Sequence, residues 1–111
     1  MQIKTWIINK IDYGEFTWDE FMDVLFPGKS AKTKEAGSKI LKYIKKKPAT
    51  LNEIIITEKL VRGTAYDAFD MLRKAGLIDR KDKYSPLVIS EQFSSALERL
   101  AKYWKNWSKG K

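Results

Sequence analysis

The sequence predicts a mainly α-helical chain carrying one small β-hairpin in its second half. Three observations lead there. Apolar residues recur at helical spacing in successive segments before Gly76. Two helix starts are written out as capping boxes, Thr17-Trp18-Asp19-Glu20 and Thr50-Leu51-Asn52-Glu53. In each the hydroxyl can accept from the amide three residues on while the glutamate reaches back. After Gly76 the period shortens to that of strands, then becomes helical again from Phe93 to Trp107.

Ile3, Ile7, Ile8 and Ile11 mark the apolar side of a first helix, which Gly14 stops. Thr17 caps the second helix; Phe21, Val24 and Leu25 supply its buried face, and Pro27-Gly28 ends it. A third runs from Lys32 to Lys47 through Ala36, Gly37, Ile40, Leu41 and Ile44, and Pro48 closes it. Thr50 opens a short helix through Ile54 and Ile55. A fifth spans about Thr64 to Ala75 with Ala65, Ala68, Phe69 and Leu72 inward, and Gly76 supplies the left-handed residue that ends it. Leu77–Arg80 and Tyr84–Ile89 read as two strands around a tight Lys81-Asp82-Lys83 turn, with Pro86 placing the second at an edge or a bulge. Ser90 then caps a long helix whose apolar seam, Phe93, Leu97, Leu100, Trp104 and Trp107, is spaced four, three, four and three.

At 111 residues the chain has room for one compact domain with a helical extension. Its organisation reads as an N-terminal helical extension (1–28), a central domain (29–89) and a C-terminal helix (90–111). At an offset of 33 residues, Ile7, Ile11, Thr17 and Glu20 align with Ile40, Ile44, Thr50 and Glu53. Two explanations stand: a degenerate first copy of the central helical unit, or the ordinary likeness of any two capped helix pairs.

Lys and Arg number 22 against 14 acids, a net +8, which favours polyanionic partners. The excess is uneven. Residues 1–28 carry two basic and five acidic residues (−3), residues 29–62 ten and three (+7), and residues 63–111 ten and six (+4). The absence of cysteine removes disulfides and thiolate metal sites, and the absence of histidine removes the commonest general base and transition-metal ligand. Asp19, Glu20 and Asp23 cluster, but no phosphate loop or nucleophile motif accompanies them, so they read as acids of a helix first turn. The expectation is a non-enzymatic protein without metal or cofactor. No stretch approaches the roughly 20 apolar residues of a membrane span, and Met1-Gln2-Ile3-Lys4 opens no signal peptide, so a soluble cytoplasmic protein is expected. A Lys- and Ile-rich chain without cysteine would also suit a thermophile.

The segment TLNEIIITEKLVRGTAYDAFDMLRKAGLI (50–78), followed by two strands, resembles the winged helix-turn-helix family of bacterial and archaeal transcription regulators. Thr50 matches the cap of its second helix, Ile54 and Leu60 the packing of that helix and the turn, and Ala65, Phe69 and Leu72 the core side of the third. Gly76-Leu77-Ile78 matches the turn that launches the wing, and the 22 residues from Ile54 to Gly76 match the family's spacing. The resemblance covers about half the chain. It implies a winged helix-turn-helix with an N-terminal helical extension and a long C-terminal helix, binding double-stranded DNA through a recognition helix in the major groove.

Carried over by position, Arg62, Gly63, Thr64, Tyr66, Asp67, Asp70 and Met71 lie on the exposed face of that helix. Arg62 suits a phosphate or a guanine edge, and Thr64 a phosphate at the helix N-terminus. Arg80, Lys81 and Lys83 put charge on the wing, where Tyr84 can stack. Asp67 and Asp70 depart from the family pattern; the helix dipole accounts for Asp67, and pairing with Lys74 for Asp70. The short wing turn limits reach into the minor groove. Lys45, Lys46 and Lys47 are either a binding patch or a solvated helix end, as are Lys102, Lys105, Lys109 and Lys111.

The seam from Phe93 to Trp107 either packs on its own domain or joins a second copy. The resemblance favours a homodimer, with two recognition helices one helical turn of DNA apart. The alternative function is a winged helix that meets proteins as an adaptor. Binding at a membrane surface ranks third.

Overall fold

The structure, a computed structural model, describes residues 5–110, so Ile3, Lys4 and Lys111 lie outside the described residues. Six helices and one strand pair follow in order: α1 (Thr5–Asp12), α2 (Trp18–Leu25), α3 (Ala31–Lys46), α4 (Leu51–Glu58), α5 (Arg62–Lys74), β1 (Ile78–Asp79), β2 (Val88–Ile89) and α6 (Gln92–Ser108). The mainly helical architecture with a small antiparallel hairpin is as the sequence predicts. None of these helices is long and apolar enough to cross a membrane.

The core forms where α3 crosses α5, with α4 and the hairpin closing its sides. Ile40, Ile54, Leu72, Ile78 and Leu87 are each fully buried, one from each of these elements or its flank. Burial of a side chain of this size stabilises by roughly 1.5–3 kcal/mol. Gly37 lets the crossing close: a Cβ there would stand 3.0 Å from Met71 Cε and 3.5 Å from Met22 Cε. That approach explains why Met71 is buried rather than exposed, contrary to its expected place on the outer face of α5.

The capping logic holds with local changes. Thr17 and Glu20 form the complete reciprocal box. Thr50 accepts from the Glu53 amide, but the Glu53 carboxylate takes the Tyr43 hydroxyl at 3.4 Å instead of reaching back. Ser30 caps α3 by accepting from the Thr33 amide at 3.2 Å. Ser90 accepts from the Gln92 amide at 3.1 Å, one residue before the α6 cap position.

In α1 only Ile7 is buried, while Ile8 and Ile11 face solvent, and the Lys10–Glu20 pair at 2.7 Å ties the helix to α2. In α2 the deepest residues are Met22 and Phe26, with Phe21, Val24 and Leu25 only half-buried. Two of the three clustered acids form ion pairs: Glu20 holds Lys10, and Asp23 holds Lys34 of α3 at 2.6 Å. The 33-residue echo survives for α2 and α4, both eight residues long behind a threonine cap, whereas α1 has eight residues against sixteen in α3.

The hairpin is shorter than expected and its connection longer. Only Ile78↔Ile89 and Asp79↔Val88 pair. The predicted tight turn is instead an eight-residue connection, 80–87. Asp82 accepts the Tyr84 amide at 2.9 Å, its carbonyl accepts the Ser85 amide, and Pro86 has no amide to offer, so the ladder stops. The Leu87 amide donates to the Ala49 carbonyl at 2.7 Å, tying the hairpin to the α3–α4 junction.

Candidate nucleic-acid interface

The α4–α5 pair is set by a tight turn at Lys59, whose left-handed backbone (φ 55°) lets the Leu60 amide return to the Ile55 carbonyl. Val61 then starts α5 without a side-chain cap, so the first amides of the helix keep no intramolecular hydroxyl or carboxylate partner. Arg62 stands at that end and donates from Nη2 to Asn52 Oδ1 at 3.0 Å, which fixes the two helix starts against each other. Gly63 is open to solvent, with nothing within 4 Å of the position a Cβ would take. Thr64 sits in the third position of the helix and is half-buried, not at its entrance.

Further along the same face, Tyr66, Asp67 and Asp70 are exposed as expected. Asp70 pairs with Lys74 at 2.9 Å. The hydrogen bond that Lys74 donates to Asp70, with the carboxylate's charge, holds the Lys74 ammonium above its ordinary lysine value. The acidity of this face is therefore partly neutralised, and of its two carboxylates Asp67 is the one in no ion pair with the described residues.

The 80–87 connection is docked on α5 through Arg80. Its guanidinium lies 4.6 Å from the Phe69 ring centroid and donates to the Lys83 carbonyl at 3.2 Å. Arg80 is thus a strut, while Lys81, Lys83 and Tyr84 project, with Tyr84 82% exposed and Lys83 Nζ 5.8 Å from its ring. The Tyr84 amide and then the Ser85 hydroxyl hold Asp82 below the ordinary carboxylate range.

Lys45, Lys46 and Lys47 are exposed at the end of α3; Lys46 and Lys47 share a recess with Glu58, and Lys45 lines a groove with Trp18. These are surfaces around the α3 C-terminus. Lys32, Lys39 and Lys59 share a recess with Val61 and Thr64 at the start of α5, where Glu35 also lines the wall and pairs with Lys39 at 3.5 Å. They were missed because they are scattered along the chain and converge only once α3 lies against α5; the left-handed Lys59 is the one local signal. Among the described residues no cluster of carboxylates could hold a metal ion. No protein-family model, curated protein or solved structure matches the chain.

Proposed function

We propose that residues 29–89 act as a winged helix-turn-helix that binds double-stranded DNA without catalysis, as a transcription regulator working in the cytoplasm. The observation that carries this reading is the open N-terminus of α5, uncapped by Val61, with Lys32, Lys59 and Arg62 near it and Glu35 as the one carboxylate lining the same recess. Free amides with the positive end of the helix dipole suit a phosphate, and the three cations add to it. From that anchor α5 presents Arg62, Gly63, Tyr66 and Asp67 to a groove, and the 80–87 connection sets Lys81, Lys83 and Tyr84 against the neighbouring backbone. Phosphate contacts dominate affinity in this arrangement, and base readout is modest because Asp67 faces the same way.

The test is a titration against duplex DNA at several salt concentrations. Sub-micromolar binding at low salt with a steep salt slope is expected, and Arg62→Ala or Lys83→Ala should each lower the slope by about one. Negligible binding at low salt overturns the reading, since a net +8 with this layout must give at least non-specific affinity.

A second reading has its own support. Ile56, Val61 and Tyr66 are 68%, 73% and 49% exposed around the α4–α5 turn, an apolar surface more in keeping with a protein partner. Absence of DNA binding with an intact fold favours that adaptor reading.

A further inference from the structure

The C-terminal helix leaves its apolar side uncovered. Phe93, at its start, packs edge-on against Phe21 with centroids 6.1 Å apart, and Leu97 is half-buried. Beyond them α6 leaves the body, and Leu100, Tyr103, Trp104 and Trp107 are 59%, 70%, 61% and 61% exposed. Trp104 and Trp107 stack on each other at 5.4 Å. At side-chain areas of 150–250 Å² for aromatics, these residues expose on the order of 500 Å² of largely apolar surface.

The charges of α6 avoid this side. At roughly 100° per residue, Glu98, Arg99, Lys102 and Lys105 all lie about 120° or more from the centre of the seam. The positions flanking the seam are Ser94, Ala96, Ala101, Tyr103 and Ser108, small and uncharged apart from the phenol. The small flanks allow a second helix to approach closely.

A groove of about 440 Å³ opens at the base of α6, its apolar wall made by Trp18, Phe21, Leu41, Leu77, Ile89 and Phe93, with Lys42 and Lys45 also lining it. It lies level with the first turn of the seam. When two copies of α6 pair antiparallel over the full seam, residue 107 of one comes level with residue 93 of the other. The body of each copy sits at the N-terminal end of α6, so this arrangement also keeps two molecules of charge +8 at opposite ends of the pair. A parallel pair would bring them side by side.

We propose that the chain forms a two-fold symmetric dimer through antiparallel α6 helices, each placing its Trp107 in the groove at the base of the other. The seam supplies more than half of the roughly 800 Å² per partner of a standard interface, and the groove walls add to it. This does not rest on the DNA-binding reading, and its test needs no DNA.

The chain has no cysteine, so introduced thiols report without background. Ser94 and Ser108 are exposed and bond only to carbonyls of their own helix, Glu91 and Lys105. Under mild oxidation, the Ser94→Cys/Ser108→Cys double variant should form a covalent dimer, while each single variant should not. By sedimentation equilibrium the unmodified chain should be a dimer whose affinity rises with salt, as screening relieves repulsion. Trp107→Glu and Ile89→Glu should each weaken it at least tenfold without lowering helicity by circular dichroism. Trp107 and Ile89 are 61% and 49% exposed in one copy, so neither change empties the core. A monomer at all concentrations overturns the proposal, whether or not it also binds anionic vesicles. Self-linking of the single Ser94→Cys variant overturns the antiparallel arrangement.

Discussion

Replacing Gly76 with alanine puts a methyl group where three elements meet. Gly76 has φ +79°, ends α5, and accepts at its carbonyl the Phe93 amide of α6 at 3.1 Å. A Cβ there would lie 3.1 Å from the Phe93 nitrogen and 3.2 Å from Gln92 Cβ. The left-handed conformation costs an L-residue about 1–2 kcal/mol. The crowding is against backbone, so α6 must move by a few tenths of an ångström. That strains a hydrogen bond whose net worth is about 1 kcal/mol. The expected destabilisation is about 2–3 kcal/mol, or a fall in Tm of roughly 8–12 °C for a chain of this size. Gly76→Asn should lose less, because asparagine tolerates the left-handed region. Gly63→Ala should go the other way by a few tenths to about 1 kcal/mol, since it is helical, exposed and unobstructed. Thermal and urea unfolding followed by circular dichroism measure all three. A Gly76→Ala melting point within about 2 °C of the parent would falsify this account of the turn.

Acid should destabilise the fold through Glu20 and Asp82. Lys10, before the Thr17 bonds, holds Glu20 below its ordinary value; the Tyr84 amide and Ser85 hydroxyl do the same for Asp82. Both depressed carboxylates contribute stability that is present at neutral pH and lost as pH falls below about 4. Glu20→Gln with Asp82→Asn should flatten the acid limb of a Tm-against-pH profile, and an unchanged limb would refute the assignment. On the α5 face, Asp67→Asn should strengthen duplex binding, by roughly tenfold at low salt, if that face meets phosphate-lined DNA. Weaker or unaltered binding in a gel-shift or anisotropy titration would place Asp67 away from the DNA.

What could be read from the sequence was mostly local. Thr17 and Thr50 announce helix starts because a hydroxyl and an amide a few residues away suffice, and Ser90 falls one residue short of the α6 cap. The inward set Ala65, Ala68, Phe69 and Leu72 follows from period alone. Met71 could not be placed that way, since its burial depends on α3 passing close at Gly37. The strands were overextended because Leu87-Val88-Ile89 favours extended backbone, while the Asp82 turn and Pro86 act against pairing. Arg80 looked like a free cation; its attachment to Phe69, eleven residues earlier, is a tertiary contact. The basic recess around Thr64 was invisible for the same reason, and the single bridge at Ala49 is too short to leave a strand pattern.

That bridge determines how the hairpin region can vary. The Leu87 amide held at the Ala49 carbonyl, with the two β1–β2 pairs, clamps the neck of the 80–87 connection to the helical body. Its outer part, Lys81 to Tyr84, takes almost nothing from the core. Asp82 apart, whose turn bonds contribute stability, the charged side chains at the tip can therefore change with little effect on folding, as in a handle whose grip is exchanged while the shaft stays fixed. Lineages descending from this chain could retune what the tip touches by substitution, with the scaffold beneath it left as it is.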